Sequence, residues 1–172
     1  TDACTQQQRC ASNVLLLAVS KTQPVAKLQE AYNLGLRDFG ENYVSEAIEK
    51  LPALAQDITW HFIGPLQSNK TRFIAENFAW LHSLDRLKIA QRINEQRPDN
   101  LAPLNCLIQI NISDDENKSG IAPAEMMALS KELLKLPKIR LRGLMTIPKA
   151  EQSTADLEKD FANMAQLLRQ LR

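Results

Sequence analysis

The sequence predicts an α/β fold, a (β/α)8 TIM-type barrel with about six of its eight strand-helix units inside the 172 residues. Three observations predict it. Short apolar runs alternate six times with amphipathic stretches, which is the pattern of a parallel sheet with right-handed crossovers. No Gly-rich phosphate fingerprint follows the first run, as a dinucleotide-binding open sheet would require. Polar residues gather at the C-terminal ends of strands one to five, not at a single switch point.

The first strand is the apolar run Val14 to Val19, which reads as buried on both faces and ends at Ser20-Lys21-Thr22-Gln23-Pro24. Pro24 to Leu34 reads as a helix, opened by Pro and stopped by Gly35. Asp38-Phe39-Gly40 is a short second strand. The helix after it carries Val44, Ala47, Ile48 and Leu51 on one face. Ile58 to Ile63 is the third strand, ended by Gly64-Pro65, and Asn69 to Asn77 its helix. Trp80 to Leu84 is the fourth; Asp85 is placed to cap a helix with Leu87, Ala90 and Ile93 inward. Leu104 to Ile112 is the fifth, with a helix from Pro123 to about Leu136, and Ile139 to Ile147 is the sixth. Ser153-Thr154-Ala155-Asp156 is a capping box for the last helix, whose Leu157, Phe161, Met164, Leu168 and Leu171 recur at helical spacing. That helix expects a further strand, so two more units are expected beyond Arg172. Residues 1–172 read as one domain.

Composition narrows the function. A chain of 172 residues with 44% hydrophobic content supports one real core. Its 21 basic and 20 acidic residues leave a net charge of +1, which argues against broad binding to nucleic acid or an anionic membrane. No apolar stretch approaches the roughly 20 residues a membrane span needs. Cys4, Cys10 and Cys106 are odd in number and lack paired metal spacing. These features predict a monomer in a reducing, cytoplasmic setting. Asp115 to Gly120 begins like a calcium loop, but Met126 stands where a bidentate Glu belongs, so calcium is excluded. Lys118 and Gly120 then read as a basic loop at the entrance of a site.

Lys21 is the leading chemical candidate. An amine just past a buried strand has its stem against an apolar wall, and partial desolvation favours the neutral form that attacks a carbonyl. The plainer alternative is a snorkelling lysine that ends a strand. Around it the strand ends would bring Glu41, Asn42 and Tyr43, then His61, Ser83, Asn111, Met145 and Thr146. Each also has a structural reading: His61 as a satisfied core histidine, Glu41 and Asn42 as helix caps, Met145 as core filler. The set holds no carboxylate pair for glycoside chemistry and no hydrolase triad.

These residues resemble a known family. Leu16-Leu17-Ala18-Val19-Ser20-Lys21-Thr22, Phe39-Gly40-Glu41-Asn42-Tyr43, the block Trp60 to Lys70, Gln109 to Ser113, Lys118 to Ile121, and Arg142 to Pro148 look like the pyridoxal phosphate homeostasis proteins. Those are single-domain relatives of the alanine racemase barrel, and the resemblance runs from about Leu15 to Pro148. It implies a fold-type III barrel that binds pyridoxal 5'-phosphate, with Lys21 holding it as a Schiff base. By position it implies Asn42, His61, Ser83 and Met145 around the cofactor. It further implies buffering of the cofactor or delivery to apoenzymes, without turnover. The family's C-terminal phosphate-gripping motifs are not among these residues, nor is its Gly-Arg step before the first strand. Two other readings remain open: a racemase or decarboxylase using the same Schiff base, and a cofactor-free lysine aldolase barrel.

Overall fold

The computed structural model describes residues 2–113 and 119–171. A short helix α1 (Asp2–Gln6) precedes a sheet of six strands: β1 (Ala18–Val19), β2 (Asp38–Glu41), β3 (Thr59–Phe62), β4 (Trp80–Leu84), β5 (Leu104–Gln109) and β6 (Ile139–Met145). Every pairing is parallel and the strands lie in chain order, so β1 and β6 are the two edges. Between them run α2 (Val25–Asn33), α3 (Val44–Lys50), α4 (Thr71–Asn77), α5 (Leu87–Gln96) and α6 (Met126–Leu133), with α7 (Thr154–Leu171) after β6. This is the expected six-unit run of a barrel-type α/β fold.

Strand alternation divides the sheet into two faces. One face, with Phe39, Trp60, Phe62, Leu81, Cys106 and Ile108, packs under the helices against Leu28, Ala47, Ile74, Ile89, Ile93 and Met126. Aromatic pairs tighten it: Phe62 meets Phe78 edge-on, with centroids 5.6 Å apart. The opposite face carries Asp38, Gly40, His61, Ile63, Trp80 and His82. The helix-side core is continuous from α2 to α6, so it fixes the height at which each strand ends.

Several local expectations hold and several are corrected. Gly35, at φ +99°, closes α2: its N–H donates to Tyr32 O and that of Leu36 to Ala31 O, a Schellman pattern. Ser153 caps α7 through Asp156 N–H, at 3.1 Å. The first strand, however, is only two residues long; Val14, Leu15 and Leu16 precede it and are exposed. Ile48 is half exposed, turned out from the face it was expected to share with Ala47. Asp85 does not cap α5 but accepts from Arg86 Nε at 2.9 Å. β5 and β6 stop at Gln109 and Met145, two or three residues short of expectation. The expected basic loop at Lys118 lies outside the described residues.

A buried arginine ties the far ends of two helices together. Arg97, 5% exposed, donates to Ala75 O (2.8 Å), Phe78 O (2.7 Å) and, through two nitrogens, Ala102 O. Those carbonyls are orphan acceptors at the end of α4 and in the loop before β5. Arg97→Leu would strand them, and loss of roughly 3 kcal/mol in urea unfolding is the expected outcome. A loss below about 1 kcal/mol would mean that water replaces the guanidinium.

Candidate functional site

The C-terminal ends of β1 to β3 meet in register. Val19 pairs with Gly40, and Gly40 with His61. Ser20 N–H donates to Gly40 O at 2.9 Å, carrying the pairing one step past β1. Lys21 therefore stands abreast of Asn42 and Ile63, and by alternation it leaves the sheet on the side opposite Ser20. Its side chain is exposed. On that side of the sheet the Leu17 and Ile63 side chains pack over Gly40, one layer below.

Asn42 is the hub of this rim. It lines two cavities, one of about 420 Å³ with Tyr43, Phe62, Gln67, Lys70 and Arg86, and one of about 230 Å³ with Ile63, Gln109, Asn111 and Ser119. Its Oδ1 is buried with no hydrogen-bond partner among the described residues, a cost a protein rarely carries without a use. Gly64 explains how Asn42 is held. A methyl group on Gly64 would run into the backbone carbonyl of Asn42, so only glycine permits this approach.

The other three expected residues sit differently. His61, 2% exposed, lies in the layer of Gly40, roughly 7 Å below Asn42 along the strand. Both its ring nitrogens are engaged: Nε2 with Asp38 Oδ1 at 3.0 Å and Nδ1 with His82 Nε2 at 2.9 Å. The ring also stacks on Trp80, with centroids 5.5 Å apart. Ser83 spends its hydroxyl on Gly64 O at 2.5 Å, bracing the loop after β3. Met145, half-buried, closes β6 opposite Gln109, and its carbonyl accepts from Ile110 N–H. Lys21 and Asn42 thus share a layer, whereas His61 lies below it and Ser83 acts on the loop.

Three groups behind the rim were not singled out as a unit from sequence. Lys50, at the end of α3 and 6% exposed, donates to Ser20 O (2.8 Å), Glu41 Oε1 (2.9 Å) and Glu46 Oε2 (2.6 Å). Glu41 Oε1 also accepts from Ser20 Oγ at 2.6 Å, and Glu46 Oε2 from Thr22 N–H at 2.7 Å. Burial pulls the Lys50 ammonium's pKa down, but its bonds to Glu46 and Glu41 outweigh that and raise it. Glu46 is pushed below the usual carboxylate range, first by its bond to Lys50 and then by Thr22 N–H. Glu41 belongs to the strand and does not cap α3. The i,i+4 spacing of Glu46 and Lys50 was the available signal; the long-range partners Ser20 and Glu41 left none.

Among the described residues, no cluster of His, Cys, Asp and Glu could hold a metal ion, and no helix is long and apolar enough to cross a membrane.

Comparison with known proteins adds the chemistry. Residues 4–172 match the family model described as alanine racemase, N-terminal domain. A Haemophilus influenzae protein named pyridoxal phosphate homeostasis protein is 53% identical over 173 residues, spanning 99% of this chain and 73% of its own. The structure of PipY from Synechococcus elongatus with PLP bound superposes with a TM-score of 0.85 at 34% identity, covering 98% of this chain and 79% of PipY. An alanine racemase from Clostridium difficile shares the fold at a TM-score of 0.75 and 16% identity, over 94% of this chain and 43% of that one.

The histidine pair gives a pH prediction. Burial, and then the neighbouring His61, push His82 down from 6.5 to about 4, and burial lowers His61 as well. Between those values the unfolded chain binds the proton and the folded chain does not. Stability is therefore full above pH 6.5 and is lost as the pH falls toward 4, by on the order of 2 kcal/mol after allowing for residual solvent contact. His82→Phe should lose visibly less over the same window in urea titrations at pH 7 and 4.5. Equal losses in both proteins would remove the pair as the cause.

Proposed function

The chain belongs to the alanine racemase N-terminal domain family, and on that premise we propose that it carries pyridoxal 5'-phosphate on Lys21 and serves in homeostasis of that cofactor. The observation that supports this most is the register that sets exposed Lys21 level with Asn42, whose buried amide oxygen has no hydrogen-bond partner among the described residues. When bound, pyridoxal phosphate supplies an aldehyde that condenses reversibly with an amine, forming a C=N bond and releasing water.

The donor set fits the aldehyde and ring end of such a ligand. Lys21 would provide the amine. Asn42 would match its free oxygen, or its amide N–H, to the polar edge of the ring. Met145 would flank the ring from the far side of the mouth. His61 would form the floor beneath, and Ser83 would act by bracing the loop after β3. For the phosphate, Lys70 and Arg86 offer positive charge in the larger cavity, and Gln109 and Ser119 offer polar groups in the smaller.

Two further features support carrying without turnover. Lys21 is exposed, so condensation and release both have open access to water. The histidines that would first be considered for proton transfer are bonded to each other and to Asp38, below the layer of the amine. We read the whole chain as one such domain, acting as a cytoplasmic monomer that passes the cofactor to apoenzymes. The Haemophilus influenzae relative's name refers to homeostasis, in keeping with that role.

The test is to incubate the full chain with pyridoxal phosphate, reduce it with borohydride and map the modified lysine by mass spectrometry. Modification at Lys21, near one equivalent, and its loss in Lys21→Ala are expected. The variant should keep its stability within roughly 0.5 kcal/mol, because the side chain is exposed. No modification, or label spread over surface lysines in both proteins, would overturn the reading. Chiral analysis of L-alanine incubated with the loaded protein is expected to show no D-isomer; its appearance would favour a racemase.

A further inference from the structure

We propose that Lys50, together with Glu41 and Glu46, is the positioning device for Lys21, holding its backbone so that the amine is presented at a fixed place and angle. This rests on the reading of Lys21 as the cofactor-bearing residue, and goes beyond it by assigning a role to groups that touch no ligand.

Lys21 Cα lies between two peptide groups, and its φ and ψ are set once both are fixed. The peptide before it is held through Ser20 O, which accepts from Lys50 Nζ at 2.8 Å. The peptide after it is held through Thr22 N–H, which donates to Glu46 Oε2 at 2.7 Å. The two anchors are themselves joined, since Lys50 Nζ donates to that same Glu46 oxygen at 2.6 Å. Ser20 is secured twice more, by its N–H on Gly40 O and by its hydroxyl on Glu41 Oε1. A single closed network therefore clamps both sides of Lys21 to α3 and β2.

The network carries costs that stability alone does not explain. Thr22 sits at φ +61°, a left-handed conformation uncommon for a β-branched residue. Glu41 Oε2 is buried with no hydrogen-bond partner among the described residues. A buried ammonium between carboxylates roughly breaks even against apolar replacements. What such a network does provide is a single geometry at a strand end that would otherwise fray into a loop. A lysine has four rotatable bonds beyond its Cα, so control of the Cα frame is the control a protein can exert on an exposed amine.

Two variants test this. Glu46→Ala removes the anchor of Thr22 from a half-buried position. Lys50→Met combined with Glu41→Gln removes the two buried charges together and leaves only the Glu46 carboxylate, which is partly exposed and still accepts from Thr22 N–H. Amide hydrogen exchange on the unloaded protein is the first readout: faster exchange at Lys21 and Thr22, with the strands protected as before, is expected. The second is pyridoxal phosphate titration, with the pH profile of the absorbance fixed at Lys21. A roughly tenfold weaker dissociation constant and a displaced pH midpoint, at nearly unchanged melting temperature, are expected. Variants that fold, exchange and bind as the parent does would overturn the positioning role while leaving Lys21 as the carrier. A parent chain that takes no label at Lys21 would overturn both.

Discussion

Parallel pairing in strict chain order is the constraint from which the rest follows. Each strand must be reached by a crossover from the far end of its neighbour, and right-handed crossovers deliver every helix to the same face. The helices then cover Phe39, Trp60, Phe62 and Ile108, while all strand C-termini open at one end. Chemistry at that end needs no special loop architecture. It needs only residues just past the last ladder bond, which is where Lys21 and Asn42 stand.

Charge buried behind that end is the second determinant. Lys50 and Glu41 would contribute little if they only joined α3 to β2, since desolvation offsets most of what their attraction supplies. Their importance is directional. They reach the backbone on one side of Lys21 while Glu46 reaches it on the other, and through Ser20 and Gly40 they couple the first two strands at their mouth. Gly64 and Ser83 act similarly one strand further on: the glycine lets the chain press against the Asn42 carbonyl, and the serine hydroxyl pins the glycine's own carbonyl.

Much of this was legible in the sequence, for reasons that differ by residue. The six alternations were readable because helix-facing positions recur at spacings that strand and helix geometry impose. Gly35 and Ser153 announced helix ends because their local hydrogen bonds involve neighbours in the chain. Lys21 and Asn42 were readable as strand-end polar groups. The edge character of β1 was not, because an apolar run reads alike whether or not a neighbour covers it. Ile48 turned outward for a similar reason: helical periodicity marks a face about two residues wide but not which flank the sheet covers. The placement of His61 below the rim required the register with Gly40. Apart from the Glu46–Lys50 pair, the links of the Ser20–Lys50–Glu46–Thr22 circuit and of the Asp38–His61–His82 chain are not local, and no spacing rule connects positions 21 to 30 residues apart.

That histidine chain has a polarity. Asp38 as a carboxylate can only accept, so His61 must present its proton at Nε2. Its Nδ1 is then a lone pair, and His82 must donate to it from Nε2. One carboxylate thereby dictates the tautomers of two rings in succession, leaving the lone pair of His82 on Nδ1. The arrangement is a directed wire: neither ring can flip or exchange its proton alone, and the choice made at Asp38, at the start of β2, is read out two strands away.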